Sequence, residues 1–568
     1  MNWLDWIVLL LTLVLIVGYG IYQSKRDRTI SSYLLADRSL PWYHITLSVM
    51  ATQASAITFL SAPGQAYTDG MRFVQFYFGL PLAMVVLCIT FVPKFHNLNL
   101  VTAYEFLEKR FDLRTRGLTS FLFLLQRALS TGLSIYAPAL ILSSILGWDI
   151  LHTNILSGSA VLLYTVIGGA RALSYTHLLQ MGIVTLGMVA AGYMVVRMLP
   201  PQVSFTDALH VAGKMGKTNA IDFTFDLSNR YNVWSGLIGG FFLQLSYFGT
   251  DQSQVGRYLT GSTVGQSRLG LAMNGLLKIP MQFLILLVGA LVFAFYQFET
   301  PPLHFDRLPV QKIQGTEFSG AYKLLEEKHE ELQLAKRAEV IRLDEALDTD
   351  DKAAIDASRQ VLSAAEKELQ QLRSEAGDLL TKATGNATND VNYIFLRFIT
   401  DYLPAGLVGL LIAVILLACM GSVASAYQSL ASTTIVDFYK RIFAKDKSEQ
   451  HYVAASRWAT LGWGIFCMIV AQYASRFGSM IEAVNVLGSL FYGVILGIFL
   501  VAFYFRKIGA RAVFLGAVIG EIFVVVSYIR DLTAFLWLNL IGCVLVIAFA
   551  RIIEWAWPQA SKQLTDGE

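Results

Sequence analysis

Between Pro404 and Lys440 an apolar run of membrane length fills, in its second half, with Gly421, Ser422, Ser425, Gln428, Ser429, Ser432 and Thr433. A lipid-facing surface has no use for hydroxyls. Beside an ion path they replace the water around a cation, and small residues let the helix approach its neighbour. Gly421, Ser422 and Ser425 therefore read as part of a cation site. The same residues also serve tight packing between two helices, and this segment alone leaves both readings open.

Residues 39–70, SLPWYHITLSVMATQASAITFLSAPGQAYTDG, repeat the theme. Gln53, Ser55 and Thr58 stand near mid-span beside Ala51 and Ala54, with Pro63 and Gly64 toward the end. Uncharged polar residues at that depth let a helix loosen and turn backbone carbonyls toward a cation. The run beginning at Val233 carries Gly239, Gly240, Gln244, Ser246, Tyr247, Gly249, Thr250, Asp251 and Gln252. Two interrupted helices, each starting a run of five, are the pattern of inverted repeats with a binding site at mid-membrane. A channel would more often show a ring motif or a filter loop, and neither is found. Arg127, in FLLQRALSTG, is the other costly residue, since a guanidinium at that depth costs roughly 2.5–3.5 kcal/mol on insertion scales. It can clamp a substrate carboxylate in bidentate fashion or form a structural ion pair with Asp251 or Glu482.

The elements that must position these residues follow from composition. With 55% of residues hydrophobic and 15% charged, the chain is a polytopic membrane protein. Apolar runs lie near 3–22, 42–64, 72–93, 118–147, 152–168, 174–199, 233–258, 270–297, 404–436, 453–475, 480–504, 510–528 and 532–554. They predict an all-α fold of about thirteen transmembrane helices. No basic residue precedes the first and no small-residue cleavage site follows Gly20, so it is expected to stay as an anchor. Basic residues Lys25, Arg26, Arg28 and Arg38, then Lys94, Lys109, Arg110, Arg114 and Arg116, then Lys440, Arg441, Lys445 and Lys447, then Arg506, Lys507 and Arg511 fall on one side. The positive-inside rule makes that side the cytoplasm, with the N-terminus outside and the tail SKQLTDGE inside.

Residues 299–403 break the membrane pattern. Two stretches rich in Ala, Leu, Glu, Lys and Gln, 321–347 and 353–380, flank DTDD at 348–351 and predict an antiparallel helical hairpin standing off the membrane. It reads as a docking arm for an outer partner or as a solvated insertion, with composition favouring the insertion. Asn386-Ala387-Thr388 matches a glycosylation acceptor pattern that is frequent by chance. The four cysteines, Cys88, Cys419, Cys467 and Cys543, show no paired spacing and read as packing residues. No nucleophile, metal cluster or nucleotide loop appears, which argues against an enzyme, and no nucleic-acid partner is expected.

These segments together resemble the sodium/solute symporter family. The marks are SLPW at 39–42, IGGARAL at 167–173 with YTHLLQ at 175–180, YFGTDQSQVGRYL at 247–259 and ASTTIVDFYK at 431–440. PGQAYTDG at 63–70 and TGLSIYAPALIL at 131–142 are most similar to the branch that carries anions and monocarboxylates. The resemblance implies a five-plus-five inverted-repeat core of the LeuT type. It also implies a sodium ion held by the carbonyls of Ala51, Ala54 and Ala418 and the hydroxyl of Ser422, with Ser425 nearby. A second hydroxyl usual in the family falls on Gly421, and the aspartate of a second sodium site falls on His177. That second site is therefore expected to be absent or converted, with His177 either relaying a proton or bridging helices. Tyr247 and Phe248 match the aromatic pair that covers substrate in the family's sugar transporters, and Gln244 stands where those carry an amide. The sugar-binding acid falls near Phe76 and Tyr77, so the sugar set is incomplete. The family's sialic-acid transporters resemble this chain in having an arginine, here Arg127, for the substrate's carboxylate.

The expected organisation is an anchor and inner loop at 1–40, the first repeat and start of the second at 41–298, and the extracytoplasmic insertion at 299–403. The rest of the second repeat follows at 404–509, then two peripheral helices and a tail at 510–568. The expected protein is a sodium-coupled importer of a small organic solute in the inner membrane. Candidate substrate residues are Gln53, Thr58, Gln75, Phe76, Arg127, Gln244, Tyr247, Phe248 and Asp251. Proton coupling or a transporter-like sensor are the alternatives, although no signalling domain follows Trp557, and the oligomeric state is left open.

Overall fold

Two breaks in helical backbone organise the bundle. The computed structural model describes residues 1–23, 30–98, 100–385, 390–474 and 479–558. Lys25, Arg26, Arg28, the Asn386-Ala387-Thr388 triplet and the tail at 561–568 lie outside the described residues. The principal helices are α1 (Trp3–Gln23), α2 (Trp42–Gln53), α3 (Ala56–Asp69), α4 (Leu113–Leu146), α5 (Ile150–Arg197), α6 (Gly240–Thr250), α7 (Gln252–Tyr258), α8 (Val264–Phe298), α9 (Ser319–Asp348), α10 (Lys352–Thr384), α11 (Leu407–Thr433), α12 (Glu449–Ala471), α13 (Met480–Tyr504), α14 (Ala510–Ile529) and α15 (Phe535–Ala556). A segmented span, Met71–Asn97, lies between α3 and α4.

Helices α2 and α3 meet at 61°. Small residues at the joint make the bend sterically cheap, and Ala54 (ψ 81°) and Ser55 (ψ 174°) leave helical geometry there. The second break falls on Asp251 (φ −77°, ψ 117°) between α6 and α7. Its carboxylate accepts from Ser253 N (2.8 Å) and Ser253 Oγ (2.6 Å), so the residue that interrupts one helix caps the next. Both interruptions coincide with the polar stretches at 53–58 and 246–252.

Ten helices among the described residues are long and apolar enough to cross a membrane, or eleven when α2 and α3 count as one span. The shortfall from about thirteen falls on two segments. Residues 233–258 are divided by a π-helical turn at Ser235–Gly239 and by the break at Asp251, and Ile150–Val166 is apolar but short. That second segment lies within α5, a helical run of 48 residues. The run is not straight: Tyr164 Oη and Thr176 Oγ1 are 2.6 Å apart, whereas twelve residues of straight helix would separate their Cα atoms by about 18 Å. The chain therefore bends between Tyr164 and Thr176.

The described basic loops gather at one end of the bundle. Arg116 bridges Glu108 (2.6 Å) and Asp437 (2.5 Å), and Arg441 Nε reaches Glu108 at 2.8 Å. Arg110 donates to the carbonyls of Phe505, Arg506 and Ile508, and Arg38 donates to Leu100 O.

At the opposite end, α9 and α10 form the hairpin, with Asp351 accepting from Ala353 N and Ala354 N at the start of α10. Lys336–Glu366 (2.5 Å) and Lys328–Glu368 (3.7 Å) run antiparallel across its seam. It lies against the bundle. Val340 and Leu343 share the main core with Val203, Ala208 and Val211. Lys217 Nζ donates to Thr68 O, and Arg373 binds Asp390 (2.7 Å), which in turn accepts from Phe305 N (2.8 Å).

His329 is 2% exposed in this hairpin. Burial, with Arg373 and Lys336 nearby, pushes its imidazole down to about 4. An unfolded hairpin binds that proton near pH 6.5 while the folded one does not. Stability is thus full above pH 6.5 and falls as pH drops toward 4, by about 2 kcal/mol at pH 5. Hydrogen exchange of α9 and α10 amides, corrected for intrinsic rates, is expected to show this loss between pH 7 and pH 5, and His329→Gln is expected to remove it.

Candidate functional site

The first break releases backbone oxygens. Ser55 N–H donates to Gln53 O (3.1 Å) and Thr58 N–H to Ser55 O (2.9 Å). In an unbroken helix those two donors would serve Ala51 O and Ala54 O. The two carbonyls expected to face sodium therefore lose their ladder donors, and both residues are buried. Across from them on α11, Ala418, Ser422 and Ser425 are also buried. Thr52 Oγ1 and Ser425 Oγ are 3.1 Å apart and tie α2 to α11, while Ser425 Oγ donates to Gly421 O (2.9 Å) and Ser422 Oγ to Cys419 O (3.2 Å). The corner is walled by neutral oxygens, a donor set that suits sodium.

His177 closes the third side. Its Nε2 lies 3.2 Å from Gly421 O and its Nδ1 2.9 Å from Ser48 Oγ. A carbonyl only accepts, so Nε2 carries the hydrogen and Nδ1 of the neutral ring accepts from Ser48. The ring stitches α2, α5 and α11 together.

Beside this corner lies a cavity of about 90 Å³. Gln53, Ser55, Ile57 and Thr58 from the first break, Phe76 and Tyr77, Gln126, Arg127 and Ser130 from α4, Leu243 and Tyr247 from α6, and Ile481, Val484, Asn485, Gly488 and Tyr492 from α13 line it. Of the sequence-predicted substrate residues, Gln53, Thr58, Phe76, Arg127 and Tyr247 thus converge. Gln75, Gln244, Phe248 and Asp251 lie outside the lining. Gln75 holds the loop above, donating to Tyr231 O (3.0 Å) and accepting from Asp222 N (2.9 Å). Phe248 packs edge-on against Tyr247 with centroids 5.0 Å apart. Gln244 is fully buried, with neither amide atom hydrogen-bonded.

Arg127 pairs with Asp251, and Tyr492 Oη donates to the same carboxylate (2.8 Å). The guanidinium also lies 5.5 Å from the Tyr247 ring centroid, and its Nε has no partner. Glu482, the other acid considered, binds Arg230 instead (2.6 Å). The pair links the second break to α4 and to α13.

Lys278 was not singled out by sequence reasoning. It sits on α8, fully buried, and its Nζ has no hydrogen-bond partner. Asn274 and Gln282, one turn to either side, carry unpartnered amide atoms as well. The Nζ lies 5.8 Å from the centroid of Tyr77, a lining residue of the cavity. The signal was present as a lone lysine in GLLKIPMQF (275–283) with amides at four-residue steps, a polar stripe on an otherwise apolar helix.

A model of the sodium:solute symporter family matches residues 33–308 and 373–520. The chain is similar to sodium-coupled monocarboxylate transporter 1 of Xenopus laevis, 25% identical over 521 residues that cover 91% of this chain and 70% of that one. It is also similar to the sodium/iodide cotransporter of Homo sapiens, 31% identical over 310 residues covering 54% and 47%. Among solved structures, a Na+-coupled sialic acid symporter in a substrate-bound outward-open state shares the fold, with a TM-score of 0.76, 20% identity, and 99% and 100% of the two chains covered.

Asp251→Asn keeps an acceptor for the α7 cap but removes the counter-charge of Arg127. It is expected to destabilise by about 3–5 kcal/mol, and Arg127→Met/Asp251→Asn by much less, since the cost lies in the unpaired buried charge. Thermal unfolding of the purified single and double variants measures this non-additivity.

Proposed function

Because this chain belongs to the sodium:solute symporter family, we propose that it is a sodium-coupled importer of a small monocarboxylate, working by alternating access around the cavity between its two broken helices. The observation that carries the reading is the charge balance of the buried centre. Arg127 is neutralised by Asp251, whereas Lys278 has no acid against it among the described residues. A protonated lysine without an acid at that depth is costly, and an anionic solute would hold the proton on it. Arg127 Nε and the amides of Gln53, Gln126 and Asn485 would then orient the solute. The monocarboxylate and iodide relatives carry anions by their names, in keeping with this choice over a neutral sugar.

On this reading the chain crosses the inner membrane thirteen times, with α2 and α6 opening two inverted repeats. The basic-loop end faces the cytoplasm, and the N-terminus and hairpin lie outside. The hairpin is an insertion that braces the outer end of the bundle, where an outer partner could dock.

One sodium is coupled to one solute, because His177 is committed to Ser48 and Gly421 O and cannot serve a second hard cation. Sodium and a monocarboxylate together move no net charge. A membrane potential of ~100 mV, worth about 2.3 kcal/mol per charge, then adds nothing. A tenfold sodium gradient alone supports about tenfold accumulation.

Sodium should raise the unfolding midpoint of the purified protein where potassium does not, and short carboxylates should raise it further where neutral sugars do not. Lys278→Met is expected to abolish the carboxylate shift and keep the sodium shift. In proteoliposomes, carboxylate uptake should be driven by sodium and unchanged by a potassium-diffusion potential. A sodium-dependent current evoked by the carboxylate, or stabilisation by a neutral sugar that survives Lys278→Met, would defeat the proposal.

A further inference from the structure

Beyond Thr433 the chain of α11 runs on as a π-helical stretch, Thr434–Phe443, and then turns back into α12. Between the two lies an open groove of about 500 Å³. Its deeper part is apolar, with Ile435 on one wall and Ala454, Ala455 and Ala459 on the other. A larger side chain at any of these alanines would enter the groove. Tyr439 and His451 line the opposite end, where their rings stack at 18° and Tyr439 Oη lies 3.0 Å from His451 Nε2. The walls are tied at both ends. Trp463 Nε1 donates to Thr434 Oγ1 (2.8 Å), and Tyr452 Oη holds the connecting loop by donating to Ala444 O (2.7 Å) and accepting from Lys447 N (3.1 Å).

Two features say what the groove takes. Trp458, one of its lining residues, is 72% exposed, and Phe443 at the end of the π-helical stretch is 78% exposed. Large apolar side chains left open beside basic ones are the composition of a segment at the membrane–water boundary. The charge is one-sided as well: residues 440–449 carry Lys440, Arg441, Lys445 and Lys447 against Asp446 and Glu449, and no lining residue is acidic. Arg441 is spent on Glu108, whereas Lys440, Lys445 and Lys447 are exposed. An apolar slot whose shallow end meets a cationic loop complements an amphiphile with an anionic head. We propose that the groove binds an anionic phospholipid, with one acyl chain along Ile435 and the alanines of α12 and the phosphate against the lysines of the loop. A cytoplasmic peptide would match the charge but not an apolar wall that lies within the span of α12. The leaflet, the inner one, rests on the proposed orientation; the groove and its ligand do not. Because one wall is the continuation of α11, the lipid would grip the helix that carries Ser422 and Ser425.

Trp458 reports on the groove directly, because bromine on an acyl chain quenches a neighbouring indole. The full-length protein is reconstituted in vesicles of phosphatidylglycerol or phosphatidylcholine with the same chains, each brominated in graded proportion. The Trp458 signal is the difference between each protein and its Trp458→Phe counterpart. Salt is held at about 1 M, where a Debye length of about 3 Å screens the general field of the surface. Phosphatidylglycerol is expected to bind at least about fivefold more tightly than phosphatidylcholine, the effect of one lysine engaged at a membrane surface. Lys440→Gln/Lys445→Gln/Lys447→Gln should bring the ratio to about one. Ala454→Leu, at an exposed position, should weaken both lipids by filling the slot, and unfolding midpoints in detergent should stay in place for every variant. Equal binding of the two lipids to wild type, or a preference that survives the triple variant, would overturn the proposal. Unchanged quenching in Ala454→Leu would overturn it too, by placing the lipid outside the groove. Quenching by neither lipid defeats it as well, and cross-linking through Ala454→Cys would then assign the groove to a second copy of this chain.

Discussion

A backbone carbonyl released inside an apolar bundle has to find a partner, and this structure is arranged around that constraint. At the first break Ser55 and Thr58 withdraw their N–H groups from Ala51 and Ala54. The cost of exposing two carbonyls in a medium without water is tolerable only where they line a polar interior. The bundle supplies polar groups beside the break: hydroxyls from α11 and a cavity lined by Gln53 and Ser55. The second break is managed differently. Asp251 satisfies the start of α7 with its own carboxylate and then needs a cation, which Arg127 on α4 provides. One interruption leaves backbone oxygens without their ladder donors; the other is capped by an acid paired with a fixed cation.

This difference separates binding from gating. Arg127, Asp251 and Tyr492 join α4, the α6–α7 break and α13 through a buried network. Removing a member strands a charge, so the network behaves as a strut. The corner between α2, α5 and α11 is instead tied by bonds among neutral groups, Ser48 to His177, His177 to Gly421 O and Thr52 to Ser425. A site whose ligands are positioned before the ion arrives loses little entropy on binding, which suits a cation that must enter and leave on every cycle.

Much of this was legible in the sequence, for identifiable reasons. Polar residues at mid-span marked both breaks because backbone interruption in lipid needs them, and the DTDD turn marked the hairpin because Asp351 caps a helix of strong formers. Asp251 was named as a partner for Arg127, since a buried guanidinium demands an acid within reach. What escaped has physical causes too. The hairpin's resting place depends on tertiary contacts of Val340 and Leu343 with the main core, which spacing alone does not give. Lys278 was hidden by its own hydropathic context, because a single charge barely lowers the mean of an apolar window. Gln180 stood in plain sight within YTHLLQ, but that its Oε1 finds no donor follows from tertiary packing, which spacing does not give. Gln75 drew attention as an amide on a core helix, yet its side chain is spent on Tyr231 and Asp222.

On the proposed reading, the charge inventory also explains how the carrier returns. Empty, the buried bundle holds Lys278 and Arg257 without a paired acid among the described residues, with Arg127 and Asp251 cancelling. Loaded with sodium and a monocarboxylate, it holds the same net charge, since the two cargoes cancel. The desolvation cost of moving the centre past the membrane barrier, and the work done against the potential, are then the same with and without cargo. Neither half-cycle is favoured by voltage, so net direction is left to the sodium gradient. A second sodium at the His177 position would break that symmetry by adding one positive charge to the loaded form alone. On the proposed reading the imidazole bridge between Ser48 and Gly421 O preserves it, because a neutral ring brings no charge of its own.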